Sequence, residues 1–107
     1  MDTISQVVVL FALHFIGDFA FQSAWMAMEK PKSWEVLTYH VCTYTAPFAL
    51  LLLLPTSGAT PLGIGIIFAS HFLEDAAKGQ WGLVKSIWLD QIVHLAVLVI
   101  LVLVGWM

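Results

Sequence analysis

The stretch Leu10-Phe11-Ala12-Leu13-His14-Phe15-Ile16-Gly17-Asp18-Phe19-Ala20-Phe21-Gln22 embeds a histidine, an aspartate and a glutamine, spaced four residues apart, in an otherwise apolar run. Residues at i and i+4 lie on one face of a helix, so this spacing predicts a helix that is apolar except for a single polar stripe. A helix crosses the hydrocarbon core of a bilayer with about 20 residues, within a range of about 17–25. Residues 4–28 meet that length, and residues 36–54, 62–77 and 87–107 form three further apolar segments. The second segment is expected to bend at Pro47, and the third is bounded by Pro61 and Lys78. The expected fold class is therefore all-α: a bundle of four transmembrane helices in one membrane domain, residues 1–107. Its short connections set neighbouring helices antiparallel.

Composition supports lipid as the solvent. The 107 residues are 61% hydrophobic and 10% charged, with mean hydropathy +0.94, against about 45–50% and about 25% in soluble domains. A net charge of −3 and the lack of arginine exclude nucleic acid as an expected partner. The single cysteine, Cys42, rules out an internal disulfide and reads as a small buried apolar residue. Met1-Asp2-Thr3 lacks the basic region of a secretory signal, so the first segment is expected to be a retained span.

The lysines set the expected orientation. Lys30 and Lys32 lie in the first connection, and Lys78 and Lys85 lie in or beside the third. The second, residues 55–61, has none. Hairpinned spans put the first and third connections on one face, which the positive-inside rule makes cytoplasmic. Both termini are then non-cytoplasmic. Trp25, Trp34, Trp81 and Trp88 fall near the same boundary, as an interfacial aromatic belt would.

Each segment carries one histidine: His14, His40, His71 and His94. Three have an aspartate four residues away, in the pairs His14/Asp18, His71/Asp75 and Asp90/His94. Gln22, Tyr44 and Lys78 extend the stripes. An aspartate near a helix centre costs about 2.5–3.5 kcal/mol on insertion scales, so the stripes are expected to face one another, a cation or trapped water. At 1.5 Å per residue, counting from the lysine-bearing ends, His40, Asp75 and Asp90 lie shallowest. His71, His94 and Asp18 lie about one turn deeper, and His14 is deepest. Residues 50–54 and 98–104 leave the other half apolar, a layout that suits a cavity open to one side better than a pore. The first and third segments share a string, His14-Phe15-Ile16-Gly17-Asp18 against His71-Phe72-Leu73-Glu74-Asp75. The second and fourth open alike, with Lys32-Ser33-Trp34 and Lys85-Ser86-Ile87-Trp88. This reads as two tandem helical hairpins related by a pseudo-two-fold axis along the membrane normal.

The series His14-x-x-x-Asp18-Phe19-x-x-Gln22, Lys30, His40, His71-x-x-x-Asp75-x-x-Lys78 and Asp90-Gln91-x-x-His94 resembles the small bacterial and phage inner-membrane proteins grouped as domain of unknown function 3307. The resemblance covers nearly the whole chain. It implies a multi-pass protein of the bacterial inner (plasma) membrane, of host or phage origin, and implies no activity. A looser likeness is to membrane proteins labelled metal-dependent hydrolases, which also place His and Asp in short apolar helices.

Imidazole with carboxylate suits a divalent ion such as Zn, Fe or Mn, and the candidate ligands are His14, Asp18, His40, His71, Asp75, Asp90 and His94. No phosphate loop, nucleophile elbow or redox cysteine pair is present. An enzyme built on this chain would therefore be a metal-dependent hydrolase acting on a lipid-linked or small polar substrate at the cytoplasmic leaflet. An uncoordinated Asp18 or Asp90 would be its base, with Lys78 paired to Asp75 or to a substrate anion. Glu74 reads as interfacial. The alternatives are a transporter or proton relay, a non-catalytic accessory subunit or phage factor, and His–Asp hydrogen bonds that only lock the helices together. Beyond the lipid bilayer, the open partners are a homo-oligomer or another membrane protein; Gly65-x-x-x-Ala69 and Ala20-x-x-x-Ala24 allow close helix contact that serves the internal bundle or a dimer equally.

The lysine asymmetry predicts the outcome of reporter fusions. A fusion at Met107 should be active with a reporter that works outside the cytoplasm and silent with one that works inside, and a fusion after Lys78 should behave oppositely. A Met107 fusion active only in the cytoplasm reverses the orientation.

Overall fold

A computed structural model describes residues 1–84 and 86–107. Lys85, which the lysine asymmetry counts, lies outside the described residues. These are helical and connecting segments only, with no strand among them. Helix α1, Thr3–Phe15, starts at Asp2, whose side chain accepts from the Ser5 backbone N–H, and runs on as a π-helical turn over Ile16–Ala20. A short α2, Ala24–Glu29, is capped by Ser23. Helix α3, Trp34–Ala49, is capped by Ser33, contains Pro47 and tightens into a 3₁₀ turn over Leu50–Leu53. Helix α4, Pro61–Lys78, is capped by Thr60 with Pro61 in its first turn, where a missing N–H costs nothing. Helix α5, Ile87–Leu103, is capped by Ser86.

The first segment, read as one helix over residues 4–28, instead breaks after Ala20. The π turn closes with Phe21 N–H donating to the Ile16 carbonyl, and the Ser23 hydroxyl then accepts from Met26 N–H to start α2. A serine capping an apolar run starts a new helix even where hydropathy reads straight through. At the other end the α5 helix stops at Leu103 and the chain folds back. Gly105 adopts φ 82°, and the N–H groups of Trp106 and Met107 both donate to the Leu101 carbonyl. Met107 is thereby buried.

Helices α1, α3, α4 and α5 pack as a ring, each against the next and α5 against α1. The first and third connections meet at one end. There Gln80 donates to the Lys30 carbonyl, and Gly79 lies against Pro31, leaving no room for a Cβ. The termini and the second connection meet at the other. Met1 donates to the Thr56 carbonyl, Gln6 to that of Ser57 and Thr60 to that of Trp106. Lys30, Lys32 and Lys78 thus share the end opposite the termini.

The interior is polar and the exterior apolar. All four histidines with Asp18, Asp75 and Asp90 are buried, whereas Ile4, Leu53, Trp88 and Leu103 are more than 70% exposed. Trp25, Trp34, Trp81 and Trp88 are all exposed, Trp34 and Trp81 with ring centroids 6.0 Å apart. Two helical runs, Thr3–Ala20 and Trp34–Leu53, are long and apolar enough to cross a membrane, and Ile87–Leu103 is apolar but shorter. Pro61–Lys78 carries Glu74, Asp75 and Lys78 in its last turns. An apolar cluster of Leu10, Phe48, Leu51, Ile67, Leu98, Leu101, Val102 and Met107 fills the termini half, and a smaller one of Leu37, Val41 and Ala76 lies in the lysine half. Cys42, expected to be buried, is exposed. α3 turns Leu37, Val41, Tyr44 and Phe48 inward, and Cys42 falls off that face.

Two glycines behave oppositely. A Cβ on Gly17 would stand 3.0 Å from the Tyr44 ring and 3.3 Å from its backbone, whereas one on Gly65 meets nothing within 4 Å. Gly17 therefore sets the approach of α1 to α3, and Gly65 faces outward. Gly17→Ala should lower stability by about 1–3 kcal/mol through overpacking. Gly65→Ala should raise it by about 0.5–1 kcal/mol. Denaturant unfolding in detergent measures both, and equal effects would remove the close approach as the cause.

Candidate metal centre

Four side chains from three helices converge in the lysine half. Asp18 comes from the π turn, His40 from α3, and His71 and Asp75 from successive turns of α4. The two Nε2 atoms stand 3.1 Å apart. His40 Nε2 lies 3.3 Å from Asp18 Oδ1 and 3.1 Å from Asp75 Oδ2. His71 Nε2 lies 3.6 Å and 3.2 Å from the same two oxygens. Each residue is 5% exposed or less. The Nδ1 atoms of His40 and His71 are buried without a hydrogen-bond partner. Lys30 closes this group from the connection, its Nζ 3.0 Å from Asp75 Oδ2 and 3.5 Å from His40 Nε2.

A second set surrounds His94 of α5. Its Nδ1 donates to the Asp90 carbonyl at 2.6 Å. Its Nε2 lies 3.2 Å from Glu74 Oε2 and 3.4 Å from Asp75 Oδ1. Asp90 pairs with Lys78 Nζ at 3.1 Å. Three overlapping groups accordingly offer donor atoms all within 4.8 Å of one another: Asp18/His40/His71/Asp75, His71/Glu74/His94 and Asp75/Asp90/His94.

His14 stands apart. Gln91 Nε2 donates to Asp18 Oδ2 at 3.3 Å and to Asp90 Oδ2 at 3.1 Å, which turns Gln91 Oε1 toward His14 Nε2 at 2.8 Å. Carboxylates only accept, so the amide orientation is fixed. His14 Nε2–H therefore donates to Gln91, and its Nδ1 accepts from the Tyr44 hydroxyl at 2.7 Å. The Tyr44 ring also stacks on His71, with centroids 3.6 Å apart and planes at 9°.

Six of the seven sequence candidates thus meet in one cluster, and the seventh, His14, supports it through Tyr44 and Gln91. Sequence reading missed Glu74 as a member. Its signal was the i, i+3 spacing from His71, which places the two on adjoining turns. It also missed the ion pair from Lys30, which no helical period connects to Asp75.

A cleft of about 340 Å³, lined by Gln22, Lys30, Lys78 and Asp75 among others, opens above the first group. A second, about 220 Å³, is lined by Leu73, Glu74, Ala77, Val84, Asp90 and Val93. Both therefore adjoin the cluster, one with a polar rim and one largely apolar.

The model of the family described as Protein of unknown function (DUF3307) matches residues 7–107. The chain belongs to this DUF3307 family. No curated protein and no solved structure matches it. The family description carries no activity, so the chemistry of this DUF3307 chain has to be read from its own residues.

Gln91 joins His14 to Asp18 and Asp90. Gln91→Leu should cost about 1–3 kcal/mol, because buried His14 loses an acceptor and two carboxylates lose a donor. Gln91→Glu should cost more, since it sets a third carboxylate between Asp18 and Asp90. Chemical denaturation of the two variants checks the order.

Proposed function

We propose that this DUF3307 protein crosses the bacterial inner membrane four times, holds a divalent ion in its Asp18/His40/His71/Asp75 group, and is a hydrolase at the cytoplasmic leaflet. The observation that carries the metal is the spacing of those donors. Four ligands at about 2.0–2.2 Å around one tetrahedral ion stand about 3.3–3.6 Å apart, and the five separations among these donors that involve an imidazole run from 3.1 to 3.6 Å. Charge points the same way. Among the described residues, the four carboxylates of Asp18, Glu74, Asp75 and Asp90 meet two lysines, Lys30 and Lys78, and the imidazoles of His40, His71 and His94, so a dication can stand in for imidazole protons as the balancing charge.

The membrane reading draws on the exposed apolar exterior around a polar interior and on a long axis of 39 Å, against about 30 Å of hydrocarbon. The lysine-bearing end would lie in the cytoplasm, with both termini outside. The tandem-hairpin reading finds support in matched contacts, Asp18–His40 at 3.3 Å in one half and Asp75–His94 at 3.4 Å in the other. The outward face at Gly65 suits a second copy or another membrane protein. A transport path would have to pass the apolar cluster from Leu10 to Met107, which weighs against it.

A bound ion supplies Lewis acidity and lowers the pKa of water. The rest falls to the chain. Asp90, at the lining of the largely apolar cleft, accepts the proton of the attacking water. The water oxygen bonds the ester centre, and the proton returns to the departing oxygen. Lys78 holds Asp90 in place and Lys30 faces an anionic head group. The apolar cleft beside Glu74 and Asp90 favours a lipid-linked substrate over a fully polar one.

A second reading has its own observation. Lys30 already pairs with Asp75, so the cluster works as a metal-free lock between helices. Elemental analysis and Lys30→Met together separate the two. With metal, the purified protein carries at least one divalent ion per chain, chelator lowers its melting temperature, and Lys30→Met binds the ion more tightly because the competing ammonium is gone. In a lock, no ion co-purifies, chelator changes nothing, and Lys30→Met is destabilised by the uncompensated Asp75 carboxylate.

A further inference from the structure

We infer that Glu74, His94 and Asp75 form a second cation position, with Asp75 bridging it to the first. The inference rests on the metal reading of the Asp18/His40/His71/Asp75 group and extends it to a two-ion centre.

His94 supplies the first step. Its Nδ1–H donates to the Asp90 backbone carbonyl, so Nε2 is the ring atom free to carry either a proton or a metal ion. Outer hydrogen bonds of this kind orient metal-ligating imidazoles. Nε2 faces two carboxylate oxygens, Glu74 Oε2 at 3.2 Å and Asp75 Oδ1 at 3.4 Å. His94 is 2% exposed, and its Nε2 has no hydrogen-bond partner. Three such atoms held this close in a dry site need a positive centre between them, a proton on Nε2 or a cation in its place. Their spacing is again that of ligands around one ion of about 2.0–2.2 Å contact distance.

Asp75 supplies the second step. Its Oδ2 faces His40, His71 and Lys30, while its Oδ1 faces His94. One carboxylate therefore presents an oxygen to each position, the arrangement that holds paired ions about 3.5–4 Å apart in hydrolytic centres. The third step is space. A void of about 10 Å³ beside Glu74 and His94, lined also by Tyr44, Ser70 and His71, leaves room for one ligand of water size.

The paired centre narrows the substrate class. Two dications together with Lys30 and Lys78 outweigh the four carboxylates of Asp18, Glu74, Asp75 and Asp90 and leave the centre cationic. It is then matched to an anionic ester, such as a phosphoester of a lipid, whose oxygens two ions can clamp together. Lys30 and Lys78 at the neighbouring cleft add charge of the same sign.

The test loads the detergent-purified full chain with Mn²⁺, removes free ion, and counts metal per chain by elemental mass spectrometry. Paramagnetic resonance is recorded on the same samples. The expected result is two ions per wild-type chain with an exchange-coupled spectrum, and one ion with an isolated-ion spectrum in Glu74→Gln. One isolated ion in the wild type, unchanged by Glu74→Gln, overturns the second position and leaves the first standing. No bound ion in the wild type overturns the metal reading and this inference together. Should Glu74→Gln fold poorly, the wild-type stoichiometry and spectrum decide alone.

Discussion

The carboxylate of Asp75 is the constraint around which the rest of the structure is arranged. It is 3% exposed, and it meets Lys30, His40, His71 and His94, which come from a connection and from helices α3, α4 and α5. A lone carboxylate in such surroundings is expensive to ionise, so the fold has to bring donors or cations to it from every side. Helices α3 and α5 are drawn against α4 by that requirement as much as by apolar packing. The small apolar set of Leu37, Val41 and Ala76 alone would bury little surface in the lysine half. Interhelical polar contacts in membranes average only about 0.6 kcal/mol. The cluster gains from sharing, because Nε2 of His40, of His71 and of His94 each meets two carboxylates, and Asp18 and Asp75 each meet more than one imidazole.

The π turn at Ile16–Ala20 is what admits Asp18 to this arrangement. In a regular helix His14 and Asp18 would point the same way. Here His14 is committed to Tyr44 and Gln91, while Asp18 reaches His40. A π turn inserts an extra residue into the helical period and swings the following side chains round the axis. Gly17 sits within that turn against the Tyr44 backbone, so the local widening and the close approach of α3 occur at the same point. Tyr44 then stacks on His71 and bonds His14, tying the deep edge of the cluster to its centre.

Much of this was legible in the sequence, and the remainder was hidden for identifiable reasons. The i, i+4 spacing of His71 with Asp75 and of Asp90 with His94 translated directly into neighbouring side chains, because α4 and α5 are regular helices. The same spacing in His14 and Asp18 did not, because sequence period cannot reveal a π turn. The break before α2 was invisible to hydropathy, since Ala24–Met28 stays apolar across it and only Ser23 marks the cap. Glu74 was read as interfacial because an i, i+1 neighbour of Asp75 points elsewhere on an isolated helix. The approach of α5 brings His94 to Glu74 and Asp75 together, a tertiary fact without a local signature. Lys30 reaches Asp75 for the same kind of reason, through the meeting of the first and third connections.

The placement of polarity within the bundle decides which functions the fold can serve. The termini half is closed by Leu10, Phe48, Leu51, Leu98, Leu101 and Val102, and Met107 is folded back into it by the Gly105 turn. Gly63 makes that closure possible, because a Cβ there would collide with the Trp106 carbonyl and the Met107 side chain. A conduit would leave that end wet, whereas here Trp106 and Met107 fold back over it. The lysine half is the reverse, with two clefts, two ion pairs and unpartnered imidazole nitrogens buried just beneath the connections. A bundle closed at one end and cleft at the other offers access to its polar cluster from one side. The proposed binding or hydrolytic centre suits that geometry better than a pore would.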